Sequence, residues 1–96
     1  MQPDTRILII TNRQQDLHDL RALLYGNENK PEILVARTHG GGLDMAHQLR
    51  PQLCILASAM LTLNGRSFSD ALKQACPEAD IFIVENGELA KSALAA

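Results

Sequence analysis

Reactive side chains are few in this 96-residue sequence, and their spacing decides what chemistry they could do. His18, His39 and His47 fall on different predicted elements and share no ligand spacing, so they are expected at the surface rather than on a metal. Cys54 and Cys76 show no zinc-like spacing. Cys54 lies inside an apolar run and reads as a small buried hydrophobe, and the pair is expected to stay reduced. The "HGGG" stretch (His39 to Gly42) follows the second apolar run and lacks both further spaced glycines and a Lys-Ser/Thr ending. It is therefore read as a flexible turn, not a phosphate cradle. Ser67 and Ser69 read as helix-start residues. Asp16 and Asp19 beside Arg13 and Arg21 are expected to form a solvated helix face rather than an acid–base pair. What remains is a set of residues just past apolar runs: Thr11-Asn12 after "RILII", Ala57-Ser58 at the end of "LCILA", and Glu85 after "IFIV". A carboxylate at position 57 could act as a nucleophile; a methyl group cannot.

These positions need elements to hold them. "RILII" (Arg6 to Ile10), "EILVART" (Glu32 to Thr38), "LCILA" (Leu53 to Ala57) and "IFIV" (Ile81 to Val84) are short, apolar and rich in β-branched residues, the mark of buried strands. Between them, Leu17, Leu20, Leu23 and Leu24 recur at helical spacing and are followed by Gly26. Leu43, Met45, Ala46 and Leu49 mark a second helix, entered after a glycine turn. Phe68, Ala71, Leu72 and Ala75 mark a third, which stops before Pro77. "ELAKSALAA" reads as a terminal helix. The pattern βαβαβαβα, with strands apolar on both faces, predicts one α/β domain over residues 1–96, a parallel sheet flanked by helices.

Composition narrows the function classes. The net charge is −2, and the nine basic residues are scattered, which argues against a nucleic-acid or anionic-membrane footprint. No apolar run is long enough to span a bilayer, and the N-terminus does not read as a signal peptide, so cytoplasmic residence is expected. Only 3% of residues are aromatic, so the core must be built from aliphatic side chains.

In element order and landmarks the chain resembles the receiver domain of two-component response regulators, a CheY-like, flavodoxin-like fold. The family's first strand, of the type "ILIV", is followed by an acidic pair that helps hold magnesium; here "ILII" is followed by Thr11-Asn12. The family's "P-D-L" entry to the third strand is "PQL" here (Pro51 to Leu53), and its phosphorylated aspartate is Ala57. Gly65 keeps the family glycine, Leu61 replaces its proline, and Glu85-Asn86 stand where a Thr or Ser and a small residue are usual. The family's fifth strand, lysine and fifth helix would follow, and the sequence is read as a truncation to four strands and four helices.

The resemblance thus implies a pseudo-receiver whose phospho-acceptor pocket (Thr11, Asn12, Ala57, Ser58, Glu85) has lost its nucleophile, its magnesium carboxylates and its lysine. No catalytic residue, metal or cofactor is expected. The function this suggests is signalling or transcriptional regulation through protein–protein interaction, by a homodimer or a protein partner. An unpaired edge on the fourth strand and a small-residue face on the terminal helix (Ile81, Ile83, Leu89, Ala93 and Leu94) form the expected contact surface. The alternative is a small-molecule sensor using Thr11, Asn12, Ser58 and Glu85 at the carboxyl ends of the strands.

Overall fold

The computed structural model describes residues 6–24, 32–85 and 88–91. In chain order these form β1 (Arg6–Ile10), α1 (Gln14–Leu24), β2 (Glu32–Ala36), α2 (His39–Leu49), β3 (Leu53–Ala57), a 3₁₀ turn (Ser58–Met60), β4 (Thr62–Leu63), β5 (Arg66–Ser67), α3 (Phe68–Ala75), β6 (Asp80–Glu85) and β7 (Glu88–Lys91). The main sheet has the order β2-β1-β3-β6-β7. Its first four strands are parallel, as predicted, with Ile10 beside both Ala36 and Leu56, and Ala57 beside Val84. This is the strand order of the CheY-like fold.

The apolar runs supply the core. Leu8, Ile9, Ile10, Ile55 and Leu56 have no exposed surface, and Leu20, Phe68 and Leu72 close over them from the helices. Parity along β1 separates the two faces. Ile10 faces α2, where a Cβ added to Gly42 would lie 2.7 Å from its Cδ1. Thr11, one residue on, faces α1 and bonds to Asp16 there. The crossovers place α2 and α3 together on one face and α1 on the other.

Two expectations are corrected. Gly40, Gly41 and Gly42 are not a flexible turn but lie within the first turn of α2, capped by Thr38, whose Oγ1 accepts from the Gly41 amide at 3.0 Å. The run "ELAK", read as the start of a terminal helix, is instead β7, antiparallel to β6, with Ile83 beside Ala90 and Val84 beside Leu89. Glu85 pairs with Glu88, so only residues 86 and 87 connect the strands, and they are Asn-Gly, a strong two-residue hairpin signal. The same dipeptide makes the β4–β5 turn, where Asn64 and Gly65 adopt φ of 55° and 77°. The edge of β6 is therefore occupied by the chain itself. Ile81, one of the expected contact residues, is 5% exposed, Ile83 is half-buried, and Leu89 lies within β7. Ala93 and Leu94 fall outside the described residues.

Candidate functional site

The carboxyl edge of the sheet is where open α/β folds bind ligands, because helix N-termini and strand-end loops converge there. Register fixes which residues meet. Thr11 follows Ile10, its amide donates to the Ala36 carbonyl at 3.0 Å, and Ala57 stands level with it on β3 and with Val84 on β6. Asn12, Ser58 and Glu85 come one step further out. These five residues thus share one edge, but they are not equivalent.

Ala57 is buried at 1% exposure, and Thr11 is fully buried. The Thr11 hydroxyl donates to Asp16 Oδ2 at 2.9 Å and accepts from the Arg13 amide at 3.1 Å. It locks the entry of α1 and is not offered to a ligand. Asp16 is correspondingly only 3% exposed, which corrects its assignment to a solvated face; Asp19, accepting from Gln15 Nε2, does lie on that face. Ser58 is half-buried at the start of the 3₁₀ turn, and Asn12 and Glu85 are exposed. No hydrogen bond links these three among the described residues.

His39 also departs from expectation. It is half-buried, its ring meets Phe68 edge-on with centroids 4.6 Å apart, and its Nε2 lies 3.2 Å from the Met60 carbonyl. A carbonyl only accepts, so Nε2 carries the hydrogen. The first residue of α2 thus pins the loop that leaves β3. Sequence spacing carried no signal for this contact, which joins positions 21 and 29 residues apart.

The residues present do not fit the magnesium ion that the receiver resemblance implies. The ion prefers oxygen ligands that include one or two carboxylates. Here the strand ends offer a methyl group, a committed hydroxyl, neutral polar groups and one exposed carboxylate, Glu85, while Asp16 is buried on Thr11. Among the described residues no group of three or more His, Cys, Asp or Glu could hold a metal. Lys73 is also misplaced for a phosphoryl group, because its Nζ donates to the Pro77 and Ala79 carbonyls at the opposite, amino edge.

The buried cysteines lie on the α3 side. Burial pushes the Cys54 thiol up to about 12, reinforced by nearby Cys76 and partly opposed by Lys73. Such a thiol is a poor nucleophile. Among the described residues no helix is long and apolar enough to cross a membrane.

No protein-family model and no curated protein matches the sequence. Among solved structures, the chain is similar to the crystal structure of the anti-anti-sigma factor PhyR from Bartonella quintana, with a TM-score of 0.60 and 19% identity over 86% of this chain. The match spans 34% of that protein's chain, about a third of its length. At this identity the likeness shows the fold: an α/β domain with a CheY-like parallel sheet.

Proposed function

We propose that this chain is a receiver-like signalling module that works through protein–protein contact and carries no aspartyl phosphorylation. The observation that carries the reading is Ala57, a buried methyl group at the carboxyl end of the central strand β3, where the fold would present a nucleophile. An acyl phosphate cannot form on it. Among the described residues no group of three or more metal-ligating side chains stands beside it, so the reading excludes phosphotransfer as the switch. A sensor role for the same edge has less support, because Thr11 is already bonded to Asp16. In signalling, the fold would act as a surface whose contacts are biased by a partner.

The test is intact-mass spectrometry after incubation with acetyl phosphate or phosphoramidate and magnesium. The expected result is no phosphoryl adduct under conditions that label a catalytically complete receiver. An adduct on any residue of the carboxyl edge would overturn the reading.

A further inference from the structure

The carboxyl edge of the sheet is electrically divided. At the β2–β1 end stand Arg37 and Arg13, both exposed; at the β6 end stands exposed Glu85, with Glu88 beside it in register. Between them the edge is neutral: Thr11, Asn12, Ala57 and Ser58. Arg37 is held toward the start of α1 by a bond from Nη2 to Gln14 Oε1 at 3.4 Å, which keeps the two arginines on one flank. The acid in the first turn of α1, Asp16, is turned inward onto Thr11. Arg66 and Asp70, on the hairpin and the first turn of α3, are both exposed and line one cleft with Ser67, Ala71 and Gln74.

Among the described residues neither Arg13, Arg37 nor Glu85 takes part in an ion pair. Both ion pairs among the described residues, Arg6–Glu32 and Arg50–Glu78, lie at the amino edge. β2 and β6 are three strand spacings apart, about 14 Å, which exceeds the screening length of about 8 Å at physiological ionic strength. The point midway between β2 and β6 falls between β1 and β3, beside Ala57 on β3, so Arg37 and Glu85 stand at equal distances from it. A positive and a negative flank at equal distances from one point are self-complementary under a two-fold rotation.

We propose that a second copy of this chain docks on this edge, across a two-fold axis normal to the sheet and passing between β1 and β3. The rotation exchanges the β2 and β6 positions and so sets Arg37 of each copy against the partner's Glu85. It brings the neutral centres together over the two Ala57 positions. A nucleic acid or an anionic membrane would be repelled by the acidic flank, whereas a second copy satisfies both flanks at once. The inference rests on the contact-based reading above and names its partner: the surface that lost its nucleophile becomes the interface.

The test is sedimentation or light scattering over a concentration series, at low and high salt. The proteins are the wild type, Arg37→Glu, Glu85→Arg, the double variant, and an equimolar mixture of the two single variants, with circular dichroism to confirm folding. A wild-type dimer weakened by salt is expected. Each single reversal turns two symmetry-related attractions into repulsions and should raise the dissociation constant on the order of a hundredfold. The double variant should dimerise again, and the mixture should form a heterodimer, since each single variant then meets its complement. A wild type that stays monomeric overturns the proposal. So does a dimer indifferent to salt and reversal, or single variants that fail to associate when mixed. An indifferent dimer would sink this edge while leaving the contact-based reading in place; a phosphoryl adduct in the earlier experiment would sink that reading itself.

Discussion

The informative residues at the strand ends are those whose environment contradicts their type. Thr11 and Asp16 are polar yet buried, and each satisfies the other. Thr11→Val keeps the shape but leaves the buried carboxylate short of a donor, a loss of about 1–3 kcal/mol. Chemical denaturation should show that loss, and a companion Asp16→Leu change should recover part of it, because removing both partners is cheaper than removing one. Cys54 makes a second prediction, through its pKa. The folded value, about 12, lies above the ordinary 9.0, so the folded state holds the proton more tightly. Its contribution to stability is complete below pH 9 and is lost as pH rises from there toward 12. Cys54→Ala should therefore flatten the alkaline limb of a stability–pH profile. The wild-type thiol should resist alkylation near pH 8 until the protein is unfolded.

At the scale of elements, the four parallel strands were legible because each holds a short uninterrupted apolar run. Three helices were legible from their apolar spacing, and Ser67 at the start of α3 from its capping chemistry. β7 was not. Leu89, Ala90, Ala93 and Leu94 fit a helical face, and a four-residue strand is too short to show alternation. The clue lay in the sequence Asn-Gly at 86–87, the same dipeptide as in the Asn64-Gly65 turn of the β4–β5 hairpin. The glycines of α2 misled in the other direction. Glycine is a poor helix former, but Gly42 is needed where α2 crosses Ile10 closely. This gives opposite outcomes for one substitution at neighbouring sites. Gly40 has open space, so Gly40→Ala should stabilise by up to about 1 kcal/mol. Gly42→Ala forces its methyl against fully buried Ile10, and overpacking of about 1–3 kcal/mol should outweigh the helix gain. Thermal unfolding of the two variants checks both signs. The Thr11–Asp16 and His39–Met60 contacts were beyond sequence reasoning because they cross loops and carry no periodicity.

For the whole molecule, the fold keeps the receiver-like strand order while the carboxyl edge carries a methyl group, a committed hydroxyl and two flanks of opposite charge. Those features favour a surface read by contact over a pocket that turns over phosphate. The most direct measurement is molar mass by light scattering across a concentration series, with and without a small phosphodonor and magnesium. The account predicts self-association that depends on concentration and salt and, at matched ionic strength, is identical with and without the donor. A mass distribution that shifts when the donor is added would contradict it.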